Sequence, residues 1–166
     1  TEIIETIYTD NYLSIGGTES TETLAELAGI TTNSRVLDVG SGVGGPSLHL
    51  AATYKCRVTG LDLVAPNVGE ANDRAKTRGL DHLAIFETGD ALDMPFEDNS
   101  FDVVWGQDAW SHIPDKEELF DELLLAVASG GDVAFIDSTD SGLNVSCSSS
   151  HLLRGVTAPN CAEEAY

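Results

Sequence analysis

The residues most able to do chemistry in this chain are acids that follow short apolar runs. Asp38, Asp62, Asp90 and Asp108 each stand at or just beyond such a run, and His112 follows shortly after the last of them. Parallel strands present all their carboxyl ends to one side, so acids placed in this way converge on one rim. Asp62 lies roughly 20 residues beyond the first glycine of the loop described next, near the spacing of an acid that bonds ribose hydroxyls and rejects a 2′-phosphate. Any one of these acids has a plain alternative, since an Asp at a strand end also caps turns or faces solvent; the signal is their joint placement. His112 has the imidazole pKa that suits a proton acceptor near neutral pH, and also sits where a histidine simply precedes a helix. No HxxxH, HxH or DxD spacing accompanies them, so no metal site is expected.

The stretch that must position them is RVLDVGSGVGGP, Arg35 to Pro46. An apolar run breaks into Gly40, Gly42, Gly44 and Gly45, and Pro46 suits the first turn of a helix. The reading is strand, tight turn, helix, with free N–H groups and a partial positive charge at the helix start facing a nucleotide-like ligand. Dinucleotide-binding folds and purely structural turns use similar glycine spacings, so the loop alone does not choose among them.

With 28 acidic against 8 basic residues, the net charge of −20 repels polyanions. DNA, RNA and anionic lipid are therefore excluded as partners for a basic surface, and a small-molecule ligand is expected. The acids are spread along the whole chain, which points to adaptation to a salty cytoplasm more than to an acidic active site. Cys56, Cys147 and Cys161 show no CxxC spacing, so reduced thiols are expected. No apolar run is long enough to span a bilayer and the first residues lack a signal-peptide pattern, which gives the expectation of a cytoplasmic protein without a membrane anchor.

Taken in order, the chain predicts an amphipathic helix over 18–29, a strand over 35–40, a helix over 46–54, a strand over 57–63, a helix over 66–78, a strand over 83–87, a strand over 101–106, a helix opened by Pro114 and Asp115, and a strand over 132–137. Asp115 and Glu118 resemble a capping box. The alternation specifies one α/β domain over 1–140, a doubly wound parallel sheet of about five strands with its ligand at their carboxyl ends, followed by an irregular Ser-rich tail over 141–166.

LDVGSGVGG, GLDL, GDALDMPFEDNSFDVVW and SGGDVAFID together resemble the class I methyltransferases that use S-adenosylmethionine, over about Tyr12 to Thr139. YLSIGG and QDAWSHIPDKEELF are most similar to the phosphoethanolamine methyltransferases and to the glycine, sarcosine and dimethylglycine enzymes. The resemblance implies a Rossmann-like fold in which Asp38, Gly40, Ser41 and Gly42 hold the methionine end of the cofactor. It implies that Asp62 takes the ribose hydroxyls and Leu63 meets the adenine, that Asp90 bonds the adenine amine with Ala91 beside it, that Gln107 reaches the methionine portion, and that Leu13 and Ser14 close over the cofactor. Tyr12 and Trp110 would meet the acceptor, Trp110 by cation–π attraction, although a tryptophan here serves equally well as core. His112 would act as base or proton relay for an amine and Asp108 would hold the substrate cation. Two competing expectations are a cofactor-binding domain without turnover and a nicotinamide-type nucleotide-binding domain, which leaves Asp38 and DMPFEDNSFD unexplained.

The phosphoethanolamine enzymes pair the histidine with a tyrosine upstream of YLSIGG, a place that falls before Thr1, and the family adds a helix and an antiparallel hairpin after strand five. The expectation is a chain cut short at both ends, or a minimal variant, lacking that hairpin. Strand five then becomes an uncovered edge, which predicts a homodimer formed through that edge or by exchange of the tail.

Overall fold

The computed structural model describes residues 16–139 and 142–149. Tyr12, Leu13 and Ser14 lie outside the described residues. Six strands, β1 (Arg35–Val39), β2 (Arg57–Asp62), β3 (Ala84–Thr88), β4 (Phe101–Gln107), β5 (Val127–Thr139) and β6 (Gly142–Ser149), form one sheet in the order β3-β2-β1-β4-β5-β6. The first five are mutually parallel, as the alternation of elements requires. The chain reverses direction in strand order between β1 and β4, and at such a switch point the loops part and leave a crevice at the carboxyl ends.

Helices cover both faces, and for that reason the strands read as continuous apolar runs. Helices α1 (Gly17–Leu27), α2 (Gly45–Tyr54) and α3 (Ala65–Thr77) bury Leu24, Leu48, Leu50 and Ala71 together with Val36, Val58 and Trp105 of the sheet. On the other face α4 (Lys116–Ala126) buries Leu119 and Leu123 with Leu37, Val39, Val104 and Val133. Asp115 caps α4, its Oδ1 accepting from the Glu118 N–H at 3.0 Å. Asn72 of α3 ties that helix to β3, accepting from the Phe86 N–H at 3.2 Å and donating to the Phe86 carbonyl at 2.9 Å. Beneath the sheet, at the opposite end from the crevice, Arg35 makes a two-pronged pair with Asp102, Nε to Oδ2 at 3.1 Å and Nη2 to Oδ1 at 2.9 Å.

Two expectations are corrected. β5 begins at Val127 because Gly130 and Gly131 bend the strand instead of ending it: pairing runs Phe101 with Val127 and then Val103 with Asp132, and the intervening residues bulge with Gly130 at φ 81°. A Cβ on Gly131 would stand 2.5 Å from the Asp102 carbonyl oxygen, so only glycine permits the approach. The tail is not irregular over Gly142–Ser149, which pairs antiparallel with β5 from Thr139 opposite Gly142 to Asp132 opposite Ser149. A ladder is built from backbone groups, which serine supplies as well as valine does. The same strand removes the driving force argued for a homodimer, because the β5 edge is paired within the chain. Among the described residues no helix is long and apolar enough to cross a membrane.

Candidate functional site

Two adjoining cavities open at the carboxyl ends of the parallel strands. The larger, about 550 Å³, has Leu61, Asp62 and Leu63 from the end of β2, Asp90, Ala91 and Leu92 beyond β3, and Ala109, His112 and Ile113 beyond β4 in its lining. The smaller, about 140 Å³, is lined by Asp38, Gly40, Ser41, Gly42 and Gln107 among others. Both touch Gly40 and Asp108, so the two spaces meet over the first glycine of the loop. The structure thus brings together Asp38, Gly40, Ser41, Gly42, Asp62, Leu63, Asp90, Ala91, Gln107, Asp108 and His112.

The glycine loop itself is bonded within the protein, and the expected free donors are those at the start of α2, not of the loop. Gly40 and Ser41 both donate to the Leu61 carbonyl, at 2.8 and 3.0 Å, Gly44 donates to the Ser41 carbonyl at 2.9 Å, and Gly42 donates to Asp62 Oδ2 at 2.8 Å. With these four amides consumed inside the protein, donors for a ligand are left to the start of α2. Gly40 takes φ 82°, and a Cβ there would stand 2.5 Å from the Ala109 Cβ, so the segment after β4 crosses directly over the loop. Gly60 serves the same end from below: a Cβ would meet Phe86 Cδ1 at 2.3 Å and the Ser41 hydroxyl at 2.7 Å.

Asp38 is buried on the face covered by α2, where Ser47 donates to its Oδ2 at 2.6 Å. Burial pushes its carboxyl up to about 7; the Ser47 bond pulls the other way and the charge of Asp62 adds to the rise. Asp62 is fixed at both oxygens by backbone, Oδ1 accepting from the Val64 N–H at 2.9 Å, and this aims the remaining lone pairs at the larger cavity. Beside it Leu63 is 70% exposed and offers an apolar face. Asp90 accepts from the Leu92 N–H at 2.9 Å. Asp108 adopts φ 52°, a left-handed conformation that Asp tolerates, at the sharp exit from β4. Gln107 is buried and joins the small cavity to α1: its Oε1 accepts from the Thr21 hydroxyl at 2.9 Å.

Trp110 is corrected. Its ring is 3% exposed, packs 5.0 Å from Phe135 and 6.0 Å from Phe120 between centroids, and donates from Nε1 to the Val39 carbonyl at 3.0 Å. A tryptophan held at face and edge in this way is a wedge that seats the following turn, not a surface offered to a ligand. That turn, the single 3₁₀ turn Trp110–His112, leaves His112 exposed on the wall of the larger cavity. Sequence reasoning missed Val64 and Asn67, which line the cavity from the start of α3; VAPN directly after Leu63 was the available signal. It also missed Ser47 and Lys116, for which spacing gives none.

The model of the family described as methyltransferase domain matches residues 37–135. A tocopherol O-methyltransferase of Arabidopsis thaliana is 40% identical over 61% of this chain and 29% of its own length. A glycine/sarcosine/dimethylglycine N-methyltransferase of Actinopolyspora halophila is 37% identical over 72% of this chain and 22% of its own. Among solved structures, a Haemonchus contortus phosphoethanolamine N-methyltransferase 2 in complex with S-adenosyl-L-methionine aligns with TM-score 0.76 and 31% identity over 80% of this chain and 31% of that one. The chain therefore spans less than a third of each of these relatives. The matched region runs from the second residue of the β1 apolar run to the middle of β5 and contains the glycine loop, Asp62, Asp90, Asp108 and His112, and the chain belongs to the methyltransferase domain family.

Proposed function

We propose that this domain binds S-adenosylmethionine and transfers its methyl group to a small amine. The observation that carries the reading is the pair of cavities meeting at Gly40 and Asp108 above a loop whose amides are already bonded. A nucleoside fits beside Asp62, Leu63 and Asp90, a zwitterionic amino-acid tail fits beside Asp38 and Gln107, and the two linings offer a phosphate carboxylates and no Lys or Arg, which disfavours a dinucleotide. When bound, the cofactor supplies a sulfonium-activated methyl group for in-line displacement.

The chain's own residues then orient, exclude water and handle a proton. Asp62 accepts from the ribose hydroxyls, and Asp38 and Gln107 hold the amino-acid end. The lining of the larger cavity carries no Lys or Arg among the described residues, and with Asp62 and Asp90 given to the nucleoside, Asp108 is the carboxylate left to favour a cationic acceptor. An ammonium has no lone pair to attack with, so His112 takes its proton before the nitrogen attacks, while Asp108 keeps the acceptor in place. Glycine-type and phosphoethanolamine-type amines are both candidates within this class.

Calorimetric titration with S-adenosylhomocysteine and with NAD tests the cofactor, and Asp62→Ala should lose about 1.5 to 3 kcal/mol of affinity for the former. Binding of NAD alone, or unchanged affinity in the variant, defeats this assignment. Product analysis with ethanolamine, glycine, sarcosine and phosphoethanolamine, beside phenolic acceptors, tests the acceptor; methylation of hydroxyls alone would replace the amine reading.

A further inference from the structure

We infer that Lys116 is a positioning residue for His112, acting through the backbone of the turn that carries the imidazole; the inference rests on the acceptor-side role proposed for that histidine. The Lys116 ammonium donates to the Trp110 carbonyl at 2.6 Å, to the Ser111 carbonyl at 3.4 Å and to the Ile113 carbonyl. Of the three carbonyls, only that of Trp110 accepts a bond from within the turn, from the Ile113 N–H, and one cation here gathers it with those of Ser111 and Ile113.

The turn's internal bonds are few and long, His112 N–H to Ala109 at 3.3 Å and Ile113 N–H to Trp110 at 3.1 Å. External anchors therefore decide where it sits. From the sheet side, Trp110 Nε1 bonds the Val39 carbonyl and the Ser111 N–H donates to Asp137 Oδ2 at 2.7 Å. Lys116 closes the opposite side. Trp110, Ser111 and Ile113 are each held, and His112 between them lines the cavity together with Ile113.

The location of Lys116 argues that these bonds are its purpose. It is the first residue of α4, where the helix dipole disfavours a cation and where Glu117 and Glu118 are the kind of residue the position prefers. In a chain with only 8 Lys and Arg, a lysine set against the dipole contributes nothing to helix stability by its charge. Its three rotatable donors suit three converging carbonyls better than the planar fork of Arg does.

The test compares Lys116→Met, which keeps the stem and loses the donors, with Lys116→Arg and the wild type. In protein without ligand, the His112 and Ile113 amides should exchange about tenfold faster in Lys116→Met while β1 and β4 amides keep their protection, with Lys116→Arg between the two. With whichever amine the wild type methylates, kcat should fall about tenfold or more, because misplacing a reacting group by a fraction of an ångström suffices, while affinity for S-adenosylhomocysteine stays within about twofold. Unchanged exchange at His112 and Ile113 overturns the inference. So does faster exchange throughout the sheet with cofactor affinity lost in step, which would make Lys116 a general structural support. If the wild type methylates no amine, the proposed function fails by that result, and the exchange comparison still decides whether Lys116 fixes the turn.

Discussion

Asp38 is sealed from water at the end of β1, with Ser47 Oγ 2.6 Å from its Oδ2, and its carboxyl is pushed up to about 7 chiefly by burial. An acid whose folded pKa lies above its unfolded value binds protons more readily in the folded state. Its contribution to stability is then best at low pH and is lost as pH rises from the unfolded value near 3.8 to the folded value near 7. The full span corresponds to about 4 kcal/mol as an upper figure. Asp38→Asn keeps an acceptor for Ser47 and removes the charge. It should be more stable than the wild type at pH 8 by about 2 to 4 kcal/mol, and the gap should shrink by roughly half toward pH 5. Guanidinium midpoints at the two pH values check this; a gap that does not narrow would mean that Asp38 titrates near its ordinary value. The place of Asp38 beside the glycine loop was legible, since an Asp interrupting an apolar run stands out. Its burial was not, because that depends on which side chain α2 lays over it, and Ser47 carries no distinguishing pattern. Lys116 was hidden for a related reason: it read as ordinary helix-start sequence, and its three carbonyl partners exist only once the turn has folded back.

At the scale of elements, the five parallel strands and their helices were readable because hydrophobic period, glycine stops and prolines agreed, except at the start of β5, where two glycines bend the strand instead of preceding it. The Asp115 cap was found where its spacing put it. β6 was not readable, since an edge strand needs no apolar alternation and its serines score as coil. The join between β4 and the His112 turn was equally silent in the sequence, yet it is among the tightest contacts in the molecule. A Cβ on Gly106 would stand 2.2 Å from Trp110 Cε2 and 2.4 Å from Nε1. Gly106→Ala must therefore push the indole away from β4 and stretch or break its bond to the Val39 carbonyl. The expected cost is about 1 to 3 kcal/mol, the range for overpacking a well-filled core, with a changed near-ultraviolet dichroism signal because Trp110 leaves its cage of Phe120 and Phe135. Since the same indole seats the turn, methyl transfer should fall more than cofactor affinity does. A variant with wild-type stability and spectrum would show that the contact relaxes at no cost.

At the scale of the whole molecule, 28 carboxylates against 8 Lys and Arg leave few attractive pairs to offset repulsion. Several of the cations are already engaged locally, Arg35 with Asp102, Arg74 with Glu70, Lys76 with Asp73 at 3.8 Å, and Lys116 with backbone carbonyls. Folding compresses the remaining negative charge, so unfolding relieves it and low ionic strength should weaken the fold. Salt shortens the reach of that repulsion, from a Debye length of about 30 Å at 0.01 M to about 10 Å at 0.1 M and about 3 Å at 1 M. Because the screening length falls steeply at first, a repulsion-limited fold should gain most of its thermal stability between about 0.01 and 0.3 M KCl and little beyond. A Tm that instead climbs steadily into the molar range, and climbs equally with uncharged sucrose, would assign the effect to exclusion of solute from the surface. The exposed pair of Arg35 and Asp102 weakens in the same salt, but exposed pairs contribute about 0 to 1 kcal/mol and cannot reverse the sign. A scan of Tm against KCl with a matched sucrose series separates the mechanisms, and a flat or falling curve at the low-salt end would show that the surface acids lie far enough apart for water alone to screen them.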